Sequence, residues 1–126
     1  VEELRWLEYV QRLIARARNV TEKNVGAATG VNLYRRALAG GAQALGRPIG
    51  ALAPGLRADV VVLDPDHPAL VGRSGDTLLD SWIFSGNDNP VRDVMVGGHW
   101  VVRQRVHPHE EQALAGYRRA VARLGQ

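Results

Sequence analysis

The sequence predicts an α+β chain. Three observations carry this: helical periodicity at both ends, a short β-branched run from Val60 to Leu63, and a Gly97-Gly98 pair set between two apolar runs. The elements follow in chain order.

Glu2 to Arg18 reads as a helix, with Leu4, Leu7, Val10, Ile14 and Ala17 recurring at helical spacing and Glu8 placed four residues before Arg12. Trp6, Tyr9 and Leu13 widen the apolar arc, so this helix is expected to pack on more than one neighbour. Asn19 to Thr29 is polar and aperiodic and reads as a loop. Val31 to Ala39 forms a second helix, with Thr29 or Asn32 as cap and Leu33, Tyr34, Ala37 and Leu38 on the buried side. Gly40-Gly41 is expected to break it, leaving one more turn from Ala42 to Leu45 that Gly46 and Pro48 close.

Pro54-Gly55 sets a tight reversal, because proline fixes φ and the glycine after it can take the positive φ of a type II turn. Val60 to Leu63 is apolar without alternation, the pattern of a strand buried on both faces. Asp64 to Gly75 is irregular. Asp76 or Thr77 then caps a short helix through Phe84, with Leu78, Leu79, Trp82 and Ile83 as its apolar face. Arg92 to Arg103 reads as a hairpin whose two-residue type I′ turn, Gly97-Gly98, sets Met95 and Trp100 on one face and Val94, Val96 and Val101 on the other. With the Val60 strand it makes a three-stranded sheet whose edges need cover. The last helix runs from Pro108 to Leu124, acidic at Glu110 and Glu111, basic at Arg118, Arg119 and Arg123, and apolar along Leu114, Tyr117, Val121 and Leu124.

Composition narrows the function classes. The 126 residues, 45% hydrophobic and 23% charged, suit one domain with a core. A net charge of +3 is modest, and Lys23 is the only lysine among sixteen basic residues, so no nucleic-acid partner is expected. With no cysteine there is neither a disulfide framework nor a thiolate zinc site, and no stretch is apolar enough to span a bilayer. A cytoplasmic location and no membrane partner are the expectations. Val1 opens directly on helix-like sequence, which is expected of a piece of a longer polypeptide.

No complete catalytic constellation is legible. His107-Pro108-His109 has the spacing of a metal-binding pair, but proline separates the two rings and the next carboxylates are first-turn glutamates that suit a helix dipole, so it reads as a helix-entry turn. His67 and His99 stand alone and read as polar surface residues. Ser74, Ser81 and Ser85 lack a strand-turn-helix elbow, and the glycine pairs lack a phosphate-cradling lysine. Asp59 and Asp64 bracket an apolar strand and read as strand-end residues satisfying turn amides. Asp88 and Asn89 before Pro90 form a turn into the hairpin.

Two segments resemble the C-terminal part of the amidohydrolase superfamily of metal-dependent hydrolases: ALAGGAQALGRPIGALAPGLRADVVVLD, Ala37 to Asp64, and VMVGGHWVVR, Val94 to Arg103. VEELRWLEYVQRLIARARN, DHPALVGRSGDTLLDSWIFSG and DNPVRDVMVGGHWVV are similar to superfamily members that hydrolyse N-formimino-L-glutamate to N-formyl-L-glutamate and ammonia. The resemblance implies an α+β fragment: the last helices of a (β/α)8 barrel over residues 1–47, part of a small β-sandwich domain over 48–107 with a short helix near 76–84, and a C-terminal helix over 108–126. It implies a divalent metal, zinc, in the parent enzyme, held by an HxH pair on the first strand, a later histidine and an aspartate on the eighth strand. None of those positions matches a residue here, so no catalytic, cofactor-binding or metal residue is carried over and the fragment is expected to be inactive and to bind no cofactor. The implied partners are the remainder of the parent chain, a small-molecule substrate and further copies in a homo-oligomer. Another deaminase of the superfamily, or a non-enzymatic docking or dimerisation module, stands as the alternative.

Overall fold

A computed structural model describes residues 1–21 and 28–125. The element order is α1 (Glu2–Ala15), α2 (Thr29–Leu45), β1 (Val60–Leu63), α3 (Asp76–Phe84), β2 (Val91–Val96), β3 (His99–Val102) and α4 (Glu110–Leu124). The mixed class is as the sequence predicts. The middle of the loop read between Asn19 and Thr29, residues 22–27, lies outside the described residues.

The chain divides into two compact units interleaved in sequence. One comprises Val1–Arg57 and Asp64–Pro90 and holds α1, α2 and α3; the other comprises Ala58–Leu63 and the chain from Val91 onward.

In the helical unit the buried core side chains are Val31, Leu33, Leu70 and Ile83. Burying an aliphatic side chain of this size contributes about 1.5–3 kcal/mol, so this small set is the unit's main apolar anchor. Aromatic pairs extend it: Tyr34 meets Trp82 with centroids 5.4 Å apart, and Tyr9 stacks on Phe84 at 5.9 Å. α1 is tied to the end of α3 by Arg5, whose guanidinium donates to the Ile83 carbonyl at 2.7 Å, to Asn87 Oδ1 at 2.6 Å and to the Gly86 carbonyl. A cation at these terminal carbonyls also suits the α3 dipole.

Several expectations need correction here. α1 stops at Ala15 rather than Arg18, because Arg16 turns left-handed with φ 49° and its amide, with that of Ala17, returns to the Arg12 carbonyl. Its one fully buried residue is the polar Glu8, while Leu13 and Ile14 are 77% and 72% exposed and Trp6, Leu7 and Val10 are also exposed. α2 runs unbroken through Gly40-Gly41, so the helix absorbs two glycine penalties of about 1 kcal/mol each. Its N-cap is Ala28, with no side-chain cap from Thr29 or Asn32, and Ala37 is exposed. The Gly46 stop is as expected, left-handed at φ 59°. α3 is capped by Gly75 rather than by Asp76 or Thr77; the Thr77 hydroxyl instead bonds back to the Ser74 carbonyl at 2.7 Å.

The second unit is a three-stranded antiparallel sheet in the order β1-β2-β3, with α4 following. Val60 pairs with Met95, Met95 with Trp100, and Val96 with His99 across the glycine turn, where Gly97 and Gly98 take φ 58° and 83° as a type I′ turn requires. A register shift between Val94 and Met95 sets Val94 opposite Val102, so the expected placing of Val101 beside Val94 and Val96 does not hold as a simple two-residue register. β1 is not buried on both faces, since Val61 is exposed. α4 starts at Glu110, two residues after Pro108, and carries no buried residue; Leu114, Tyr117, Val121 and Leu124 all face out.

Candidate functional site

Asp59, Asp64 and the His107–His109 pair fall into separate places and build turns. Asp59 Oδ1 accepts the Gly97 amide hydrogen at 2.7 Å, pinning the hairpin turn to the start of β1, and Asp64 Oδ1 accepts from the Asp66 amide at 3.1 Å. Both aspartates therefore satisfy turn amides, as read from their strand-end positions. His107 Nδ1 accepts from the His109 amide at 3.1 Å, with ring centroids 5.7 Å apart, so this pair shapes the entry to α4. His99 opens β3 and is exposed. Among the described residues no group of three or more histidine, aspartate or glutamate side chains could hold a metal ion.

Three carboxylates, none of them a candidate from sequence, organise the chain; Glu8 and Asp93 are buried and Asp80 is half-buried. Glu8 is fully buried and accepts four hydrogen bonds: from Arg12 Nε at 2.7 Å, the Val20 amide at 3.0 Å, the Thr21 amide at 3.1 Å and the Thr21 hydroxyl. Burial pushes its pKa upward, but the Thr21 and Arg12 side chains and the two amides together outweigh this and hold it below its ordinary value. Asp93, 6% exposed in β2, accepts the Gln104 amide at 2.7 Å and Arg92 Nε at 2.8 Å. Those bonds, the Gln104 amide foremost, hold its pKa down. The turn it secures is Arg103 to Val106, whose central Gln104 and Arg105 take φ 50° and 67°.

Asp80 is the third. Its Oδ1 accepts the Gly30 amide hydrogen at 2.6 Å, satisfying one of the open donors at the start of α2. The signal that could have found Glu8 and Asp93 is a carboxylate set among apolar residues of a helix or strand, where burial demands partners.

One cavity in the helical unit gathers several of the polar side chains read in the sequence. It encloses ≈ 320 Å³ and is lined by His67, Ser81, Trp82, Ser85 and Asp88, among others. His67 Nδ1 accepts the Ala69 amide hydrogen at 3.2 Å. Ser81 and Ser85 line the same space, and among the described residues neither hydroxyl is bonded to a histidine or carboxylate.

Comparison with known proteins places these features in context. A model of the amidohydrolase family matches residues 2–101. Formimidoylglutamate deiminase of Pseudomonas aeruginosa is 52% identical over 98% of this chain. The crystal structure of an amidohydrolase from Brucella melitensis superposes with a TM-score of 0.84 at 40% identity, again over 98% of the chain. The chain spans 27% of the length of each of these two proteins.

Proposed function

This chain belongs to the amidohydrolase family, and on that premise we propose that it is the C-terminal portion of an enzyme that hydrolyses N-formimino-L-glutamate to N-formyl-L-glutamate and ammonia. The observation that carries the reading is the 52% identity to formimidoylglutamate deiminase, maintained over 98% of the chain. On this reading residues 1–47 close the barrel, 48–107 contribute to the small β-domain, and 108–126 form the terminal helix. The enzyme works in the cytoplasm on a small-molecule substrate and assembles as a homo-oligomer.

Hydrolysis of the formimino group calls for a divalent metal, zinc on this reading, which supplies a hydroxide nucleophile. The described residues of this chain do not fit that group, since they bring no three candidate ligands together. What this chain's own residues do is hold backbone in place: Arg5 fastens the end of α3, Glu8 gathers the amides after α1, and Asp80 closes the start of α2.

The outward apolar side of α1 supports a packing role. Trp6, Leu7, Val10, Leu13 and Ile14 form a surface that a helix of an isolated domain would bury. Assay of the intact protein against N-formimino-L-glutamate and a panel of other amidines and aminated heterocycles tests the substrate. Ammonia release confined to N-formimino-L-glutamate supports the proposal; preference for an aminated heterocycle assigns the protein to a neighbouring deaminase instead.

A further inference from the structure

The cavity beside α3 is bordered by two exposed side chains of opposite charge. Arg73 lines it from the segment before α3 and Asp88 from the segment after α3. Among the described residues neither side chain makes a hydrogen bond or an ion pair, although both border the same ≈ 320 Å³ space. Neither is explained by the helix dipole, which favours an anion before a helix and a cation after it, the reverse of what is found.

The remaining walls supply complementary chemistry. His67, accepting at Nδ1, carries its ring proton on Nε2 and so offers a donor. Ser81 and Ser85 offer hydroxyls, and Trp82 and Pro90 an apolar wall. A lone carboxylate entering the cavity would be repelled by Asp88, and a lone cation by Arg73. A molecule that carries both charges meets neither penalty.

We propose that this cavity binds a small amino acid in its zwitterionic form, its carboxylate at Arg73 and its ammonium at Asp88. The guanidinium suits a carboxylate because its planar fork can donate two parallel hydrogen bonds. The volume lies at the small end of the range for ligand clefts, which limits the ligand to a compact molecule.

The test is saturation-transfer NMR and titration of the intact protein with L-alanine, with acetate and methylammonium as single-charge controls. L-alanine is expected to show transfer and saturable binding while neither control does. Arg73→Gln and Asp88→Asn are each expected to weaken binding by about tenfold or more, since each removes a charge-assisted contact. Both side chains are exposed, so circular dichroism of the variants should match the parent. Should a charge variant misfold, Ser85→Ala, expected to weaken binding severalfold, decides in its place. Absence of transfer to L-alanine, an equal response to acetate, or binding indifferent to these substitutions would overturn the proposal.

Discussion

The Asp80 carboxylate on α3 accepts the Gly30 amide hydrogen of α2 at 2.6 Å, so one helix caps another across fifty residues of sequence. The fit depends on glycine: a Cβ added at Gly30 would stand 2.7 Å from Asp80 Oδ1 and 3.0 Å from the Asp80 Cα. Asp80→Ala is expected to destabilise the intact protein by about 1–2 kcal/mol, the usual cost of losing an N-cap acceptor. Asp80→Asn, which keeps an acceptor oxygen, should lose less. Gly30→Ala should also destabilise, and denaturant unfolding of the three variants checks the order.

Gly40 provides the contrast. It lies inside α2, has no atom within 4 Å of a built Cβ, and has no positive φ. Gly40→Ala is therefore expected to stabilise by roughly 0.5–1 kcal/mol, read as a raised unfolding midpoint.

Glu8 makes stability depend on acid. Its folded pKa lies below its ordinary value of 4.5, so its contribution is complete above that value and is lost as pH falls through the depressed folded value. Glu8→Gln should remove this part of the acid dependence. It should also destabilise at neutral pH by about 1–3 kcal/mol, because buried donors lose their charged acceptor. Unfolding free energy measured from neutral pH downward in both proteins gives the comparison.

Asp93 acts in the same direction, its pKa held down chiefly by the Gln104 amide. Asp93→Ala, which removes the acceptor, should release that amide to solvent, read as faster hydrogen exchange at Gln104 than in the parent. Gln104→Gly should preserve the turn and relieve a left-handed conformation that costs a non-glycine residue roughly 1–2 kcal/mol.

Where a residue's own backbone dictates the conformation, the sequence was readable. Gly97-Gly98 and Pro54-Gly55 announce their turns because few residues take those angles, and both glycine turns appear where expected, with Gly55 at φ 84° and the Leu56 amide bonded to the Ala53 carbonyl. The four-residue strand β1 was read with its observed limits. Burial was harder to read. The Leu7, Val10 and Ile14 stripe of α1 looks like a core face, yet in this chain those side chains are exposed and Glu8 is inside. Periodicity reports that a face is to be covered, not by what. Gly40-Gly41 misled because the rest of α2 sustains a helix that glycine alone would end. The capping role of Asp80 was invisible because its partner lies far away in sequence. Of the candidate site residues, His67, Ser81, Ser85 and Asp88 prove to line one cavity, a grouping that no spacing in the sequence announces.

The uncovered α1 face has its own consequence. The 126 residues produced alone are expected to self-associate through Trp6, Leu7, Leu13 and Ile14, because large exposed apolar patches seek cover. Light scattering should show mass rising with concentration, and Leu13→Lys with Ile14→Glu should reduce the rise. A monomer at every concentration would count against a packing role for this face.

Ammonia release from N-formimino-L-glutamate, measured side by side for the intact protein and for the 126 residues alone, with the divalent metal content of each, bears most directly on the proposed division of labour. The intact protein is predicted to release ammonia and to hold metal, and the isolated chain to do neither. Turnover by the isolated chain, or one tightly held zinc per 126-residue chain, would contradict the view that this chain supplies packing and leaves the chemistry to other residues.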